Sequence, residues 1–357
     1  MTAVVIRVMR SQVALISIFL LAALSASSPV PESVPGQTDN ERPSKPDSEL
    51  LKARELLEKY DLNAAEAAAR QYVGTHAQSA EGHFLLGLIL FRQVQSEARA
   101  SGAYLAPGDV PTGAIHSHER DANIRASLAE FTEGAKFGRP SAFDLKIVSL
   151  DYVLLGDYAS AGKWLTLSLE WDPRDAEGWY YLGRAKYNEN RFEEAIQAFQ
   201  KCLDLEPRFV LALDGLGLSY AGLNRTAEAI SSFEKAISWQ EREVKKTPEP
   251  YIDLGDLFNQ QARFDEALLT LEKAVAIAPR NIRAHEVLGK TFLNLNRLPD
   301  AQRELETAIS IDPDEPALHY LLGQVYRKQG QLQKAKSEMD RFQSLKAKGP
   351  PPKPGMQ

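Results

Sequence analysis

Large and small apolar residues recur through the middle of the chain at matched offsets. Trp179, Leu182, Gly183, Ala195, Phe199 and Pro207 set the pattern. Leu213, Leu216, Gly217, Tyr220, Ala229, Phe233 and Ala236 repeat it, with Leu216 falling 34 positions after Leu182. Tyr251, Leu254, Gly255, Phe258, Ala267, Leu271, Ala274 and Pro279 repeat it again. A fixed period of this length predicts a stack of helix pairs, not a catalytic domain. Turn residues divide each block: Asn188-Glu189-Asn190-Arg191, Leu223-Asn224-Arg225 and Gln329-Gly330-Gln331. Pro207, Pro279 and Pro313 have no amide hydrogen and cannot continue a helix, so they mark the crossing into the next block.

These residues resemble the tetratricopeptide repeat: a bulky residue at position 4, Leu-Gly at 7 and 8, an aromatic near 11, Ala at 20, an aromatic or Leu at 24, Ala at 27 and Pro at 32. Ala176 to Phe209 fits best, departing at Lys186 and Cys202. His285, Leu288, Gly289, Phe292, Ala301, Leu305, Ala308 and Pro313 hold the pattern in one later repeat; His319, Leu322, Gly323, Tyr326 and Ala335 hold it in the next, where Met339, Phe342 and Ala347 replace the rest. Upstream, the repeat at Ala142 has Val148-Ser149 in place of Leu-Gly, Ala80 opens one with His83, Leu86, Gly87 and Leu90, and Pro46 opens a weak one. The resemblance implies an all-α, right-handed superhelical solenoid of about eight repeats over 46–348, starting near 46, 80, 142, 176, 210, 248, 282 and 316. It also implies that position 8 faces position 20 within a repeat, so that Gly183 and Ala195 let paired helices approach closely.

Two places break the period. The repeat at Ala80 is interrupted by an insertion at about 94–121, rich in Gly and Pro. It is expected to be a loop, either mobile or folded back through Tyr104, Leu105, Val110 and Ile115. Between Ser238 and Thr247 four extra residues precede the next repeat and no breaker occurs in Trp239 to Lys246. The helix there is expected to run one turn longer.

The ends differ in character from the repeats. Arg7 and Arg10, the apolar run Val13 to Leu24, and the small residues Ala23, Ser25, Ala26 and Ser27 predict a signal peptide over 1–26. Export to a bacterial periplasm or the extracellular space is the expectation, with an uncleaved membrane anchor as the lesser one. Residues 27–45 and 349–357 are Pro-rich and read as a linker and a disordered tail. The single cysteine, Cys202, forbids an intramolecular disulfide and takes the place of a small buried Ala. The formal charge is −6, from 42 basic and 48 acidic residues, which argues against a nucleic-acid binder.

The resemblance places partner binding on positions 2, 5, 9, 12 and 13 of each first helix. Those positions carry Phe84, Leu88, Phe91, Phe143, Lys146, Leu150, Val153, Leu154, Tyr180, Arg184 and Tyr187 in the N-terminal half. In the C-terminal half they carry Asp214, Leu218, Asp256, Asn259, Gln260, Glu286, Lys290, Asn294, Tyr320, Gln324 and Arg327. The first set is apolar and aromatic, and either forms a groove for a peptide segment or is covered. The carboxylate clamp of some relatives is absent: Lys146 fits it, but Leu150, Tyr181, Leu211 and Gly215 do not.

No dinucleotide fingerprint, phosphate loop, HExxH or GxSxG motif occurs, and no cofactor is expected. His116, His118, Glu119 and Asp121 are the one cluster with metal-like chemistry, and a solvated loop explains them as well. His83, His285 and His319 hold repeat positions and read as packing residues. Three functions stay open: an exported scaffold for protein or peptide partners, an accessory subunit of an envelope assembly, and a metal-dependent enzyme using the insertion.

Overall fold

A computed structural model describes residues 48–100 and 118–348. Among them are sixteen α-helices and no strand, in agreement with an all-α fold. The signal, linker and tail segments lie outside the described residues, as do His116 and the proposed anchors Tyr104, Leu105, Val110 and Ile115. No described helix is long and apolar enough to cross a membrane.

The described residues fall into two compact lobes, one ending at Glu189 and the other beginning at Asn190. The first lobe holds α1 (Ser48–Glu58), α2 (Leu62–Thr75), α3 (Ala80–Ala100), α4 (His118–Gly134), α5 (Ala142–Leu154), α6 (Tyr158–Trp171) and α7 (Ala176–Asn188). The second holds α8 (Phe192–Leu205), α9 (Val210–Gly222), α10 (Thr226–Gln240), α11 (Glu249–Gln260), α12 (Phe264–Ile277), α13 (Ile282–Asn294), α14 (Leu298–Ile311), α15 (Pro316–Lys328) and α16 (Leu332–Lys348). Three hairpins, α1–α2, α3–α4 and α5–α6, lead to α7 in the first lobe; α8 leads to four hairpins in the second. Within each lobe consecutive hairpins also touch one another, so the apolar stripe of one pair is covered by its neighbour. In the second lobe this yields one continuous core from Phe233 through Leu254, Leu271, Leu288 and Leu305 to Leu322. Burying each such side chain stabilises by about 1.5–3 kcal/mol.

The glycine at position 8 has a different neighbour from the one anticipated. A methyl group on Gly217 would stand 2.6 Å from the Phe233 ring, and one on Gly255 would stand 2.5 Å from Leu271. These are position 24 side chains. The backbone of position 20 comes second, with the Ala301 carbonyl 3.6 Å from the corresponding point on Gly289. The missing side chain makes room for the ring or isobutyl group across the hairpin, and the small Ala at position 20 sits behind it.

Every helix–helix turn of the regular repeats uses one left-handed residue. Tyr60, Gly156, Asn190, Asn224, Ala262, Asn296 and Gly330 have φ of 61°, 71°, 59°, 59°, 58°, 58° and 77°. In six of these turns the following amide reaches back five residues, as in Arg263 N to Phe258 O (2.9 Å) and Arg297 N to Phe292 O (2.8 Å). The second helix then starts on an arginine in three hairpins. Arg225, Arg263 and Arg297 lie over Tyr220, Phe258 and Phe292 at 4.6, 4.3 and 4.6 Å, and each pairs with an acid three residues on.

Two expectations about the irregular places are corrected. The expected loop at 94–121 is helical at both ends: α3 continues to Ala100 and α4 begins at His118. The helix expected to extend beyond Trp239 stops at Gln240 instead. The buried Gln240 side chain donates from Nε2 to Thr247 O (3.0 Å) and accepts at Oε1 from Thr247 N (2.8 Å). Those two bonds close the extra residues into a compact loop, which a further helical turn would preclude.

Three hairpins replace the bulky aromatic at position 4 with histidine. His83, His285 and His319 are buried, with Nδ1 at 2.7, 2.8 and 2.7 Å from Glu130, Glu304 and Glu338. Nε2 of each lies 3.0–3.1 Å from a backbone oxygen of Ala77, Pro279 or Pro313. A carbonyl only accepts, so Nε2 carries the proton. For His285 the Glu304 carboxylate holds the ring above the ordinary histidine value, against its partial burial. Its partner Glu304 is held below the usual carboxylate range by His285, with Arg303 beside it.

Two outcomes follow for stability. Ala262 carries a side chain where the backbone is left-handed, so Ala262→Gly should raise the unfolding free energy by about 1 kcal/mol in urea titration. The His285–Glu304 pair contributes fully between the unfolded-state values, about pH 4.5 to about 6.5. Its contribution is lost as pH rises through the raised histidine value, or falls through the lowered glutamate value. The Tm difference between wild type and His285→Gln should therefore be largest near pH 5.5, corresponding to about 1–2 kcal/mol, and shrink towards pH 9.

Candidate functional site

First helices of consecutive hairpins touch one another within each lobe, α3 with α5 in the first and α9 with α11, α11 with α13 and α13 with α15 in the second. Residues at the inner positions therefore divide between the seam joining two first helices and the open surface beside it.

In the first lobe packing takes three of the apolar residues expected to form a groove. Phe91, Leu150 and Tyr180 are buried, at 2 %, 8 % and 3 % exposure. Phe84 is half-buried and lies across Gly134, 6.1 Å from the Phe131 ring in its own hairpin. Leu88, Val153, Leu154, Arg184 and Tyr187 are also half-buried, and Phe143 is exposed. A continuous aromatic groove over these positions is thus interrupted where Phe91, Leu150 and Tyr180 are buried. What remains is a charged seam. The buried Lys146 donates to Glu177 at 3.0 Å and pairs with Asp175 at 2.8 Å. Burial alone would push the Lys146 ammonium down, but the two carboxylates more than offset it and hold the group above the ordinary lysine value. Asp175 also caps α7 by accepting from Gly178 N (3.0 Å), and Tyr181 donates to Glu177 (3.1 Å).

Asp151 is fully buried behind this seam. Ser127 Oγ lies 2.6 Å from Asp151 Oδ2 and 3.0 Å from the Gly87 carbonyl. One hydroxyl has one proton and cannot donate to both. A protonated Asp151 that donates to Ser127, which then donates to Gly87, satisfies the chain, and burial pushes the carboxyl well above the usual range. Such a group favours folding below the unfolded carboxylate value, and that contribution is lost as pH rises through the raised folded value. Asp151→Asn should therefore raise Tm at pH 8 relative to wild type, with the gain narrowing towards pH 4 in thermal scans.

In the second lobe the inner positions stay polar and form a charged row. Asp214 is buried on α9. Asp253 on α11 pairs with Arg283 on α13, and Asp256 pairs with Lys290 at 3.4 Å. Gln260 donates to Asp256 (3.1 Å), and the buried Asn259 donates to Thr291 Oγ1 (2.8 Å). Glu286 is half-buried, and burial raises its carboxyl together with the nearby Glu315. Lys290, Asn294 and Arg327 are exposed, as is Tyr320, which rests against Phe342 at 5.3 Å. Leu218 and Gln324 are half-buried.

Glu249, Asp253 and Arg283 belong to this row and were not anticipated. Glu249 and Arg283 hold position 2 of their repeats, so the same positional rule reaches them. Asp253 interrupts the apolar run Tyr251-Ile252-Asp253-Leu254, a polar residue where packing alone would place none. Among the described residues no group of three or more His, Cys, Asp or Glu side chains is arranged to hold a metal ion.

Three family models, all described as tetratricopeptide repeat, match residues 176–209, 209–280, 258–323 and 292–348. The chain is 48% identical over 52 residues to the peroxisomal targeting signal receptor of Kluyveromyces lactis, covering 15% of this chain and 9% of that protein. It is 25% identical over 124 residues to the same receptor of Komagataella phaffii, covering 34% and 21%. The chain thus spans only a small part of the curated relatives it matches. Among solved structures, yeast Tom70 aligns over 92% of this chain and 65% of its own with a TM-score of 0.58 and 14% identity. The Cut9–Hcn1 structure gives 84%, 53%, 0.56 and 14%, and PilW, a type IV pilus biogenesis factor, gives 58%, 94%, 0.52 and 20%. These likenesses show a common fold. With the repeat models running through residues 176–348 and hairpins of matching construction in both lobes, the chain belongs to the tetratricopeptide-repeat proteins.

Proposed function

We infer that this protein is a non-catalytic scaffold that holds protein or peptide partners along the inner positions of its repeats. The observation that carries the reading is the charged row of the second lobe. Asp256, Lys290 and Arg327 stand on three successive first helices and keep exposed or half-exposed side chains. The second helices meanwhile supply the core partners, such as Leu271 and Leu305. Polar side chains repeated in register along a stack provide spaced contacts for an extended chain. Peptide or protein binding by related repeat proteins, such as the targeting signal receptors, supports the same reading.

Export belongs to this proposal. It rests on Arg7, Arg10 and the apolar run Val13 to Leu24, followed by the small residues Ala23, Ser25, Ala26 and Ser27. Acting on partners in a bacterial periplasm or outside the cell is its consequence. A role as an accessory subunit of an envelope assembly has less behind it, because Phe91, Leu150 and Tyr180 are buried.

The test is affinity capture from the native envelope with the full chain, followed by mass spectrometry. Wild type should retain defined partners. A variant carrying Asp256→Ala, Lys290→Ala and Arg327→Ala should lose them while keeping its helical circular dichroism and Tm. Equal capture by both proteins would overturn the assignment to this row. N-terminal sequencing of the native protein should find a start within residues 24–28, and an intact Met1 would overturn cleavage.

A further inference from the structure

The second lobe ends on an open hairpin, and the joint before it shows what such a surface receives. The α13–α14 hairpin seats the next first helix, α15. Leu318 and Val325 of α15, seven residues apart, are closed at 0 % exposure. The Tyr326 hydroxyl donates to Glu306 on α14 (2.9 Å), and the Gln329 amide donates to Gln302 (3.1 Å). Leu298 packs half-buried against the core, and Ala308 is closed. At a spacing of 34 residues α16 repeats this surface, with no helix over it among the described residues. Leu332 takes the place of Leu298 and is 69 % exposed. Phe342 takes the place of Ala308; it is half-buried, and its ring lies 5.3 Å from that of the exposed Tyr320. Lys336 and Asp340 take the places of Gln302 and Glu306. Both are exposed, without a hydrogen-bond or ion-pair partner among the described residues.

A stack that ends in solvent closes on a polar face. This one keeps an exposed leucine and an aromatic pair, and its charge is distinct. Residues 316–348 carry seven lysines and arginines against two acids, whereas 282–311 carry four of each sign. Of the two acids, Glu338 already meets His319 at 2.7 Å. We propose that the α15–α16 hairpin docks one helix of a partner protein in the seat that a further first helix would fill. That helix carries small or aliphatic residues seven apart, a hydroxyl donor for Asp340 and, three residues further, a carboxylate for Lys336. A second copy of this chain does not fit. Two such ends face to face set like charges together. The first helix at the other end, α1, has exposed Ser48 and Glu55 where α15 has Leu318 and Val325. Residues 349–357 do not match either, with four prolines and none of the apolar spacing of a first helix. The surface is separate from the inner row of Asp256 and Lys290, so its occupant is a further partner contact.

The probes are two fluorescein-labelled peptides of residues 315–330, the helix that already fills such a seat, held helical by a hydrocarbon bridge between positions 320 and 324. Both carry Arg327→Gln and Lys328→Gln; one has Gln329→Glu and the other Gln329→Lys. Fluorescence anisotropy with the full chain should show the Gln329→Glu peptide binding about fivefold more tightly than the Gln329→Lys peptide. Lys336→Glu in the full chain should reverse that preference, which a mere loss of structure does not do. Leu332→Asp, at an exposed position, should weaken both peptides about tenfold with helical circular dichroism unchanged. Lys52→Glu, exposed on α1, should leave both affinities as they are. No binding of either peptide, an unaltered preference in Lys336→Glu, or full affinity in Leu332→Asp would overturn the proposal. Phosphatidylglycerol vesicles that sediment the chain while neither peptide binds would assign the surface to a membrane instead. A concentration-dependent dimer in sedimentation velocity that Leu332→Asp abolishes would assign it to a second copy, and either result would overturn the partner helix.

Discussion

In the hairpins that carry glycine at position 8 a side chain is missing at one point, and a large one fills the space opposite. Gly87 admits the Phe131 ring, Gly217 admits Phe233, and Gly255 and Gly289 admit Leu271 and Leu305. This contact sets the distance between paired helices, and that distance sets where every other row of side chains emerges. Interiors pack at near-crystalline density, so one extra methyl group at such a point has nowhere to go. Gly323 faces the flexible Met339 instead of a ring, so an adaptable side chain fills the same joint in the last hairpin.

The turn completes the joint. One left-handed residue and one amide reaching back five positions end six of the first helices, and an arginine stacked on an aromatic starts the second in three hairpins. These devices are local to a hairpin. The contacts joining hairpins are also local, between nearest neighbours, so the stack can vary its surface from repeat to repeat without changing its construction. The histidine–glutamate pairs use that freedom. They substitute a hydrogen-bonding packing residue for a bulky aromatic at three places, and the His285–Glu304 pair makes its joint sensitive to pH in a way Trp179 or Tyr251 is not.

Polar groups between first helices carry the same logic from packing to recognition. In the first lobe Lys146 is met by Asp175 and Glu177, and Ser127 offers Asp151 a place in a hydrogen-bonded chain. In the second lobe Asp253 and Asp256 are met by cations, and Asp214 lies beside Asp253 and within reach of Arg283. A buried charge that lacks a partner is costly, and burial pushes the carboxyls of Asp151 and Asp214 well above the usual range, towards the neutral form. Both lobes therefore combine paired charges with a buried carboxyl that keeps an oxygen without a hydrogen-bond partner.

Helix pairs, their phase and the small residues at positions 8 and 20 were legible in the sequence. Each rests on a periodic pattern acting over one hairpin, and nearest-neighbour stacking then extends it. The turn asparagines were visible for the same reason. Three matters were decided only in the folded chain. Gln240 ends its helix by bonding the backbone of Thr247, a choice that helix propensity over Trp239 to Lys246 does not reveal. Phe91, Leu150 and Tyr180 occupy inner positions yet are buried, because packing within the folded chain covers them. Asp214 meets Asp253, with Arg283 in reach of both, because that arrangement depends on which side chains face each other from different repeats. A one-dimensional pattern specifies the face on which a residue lies; only the packed stack determines which groups it meets across the seam.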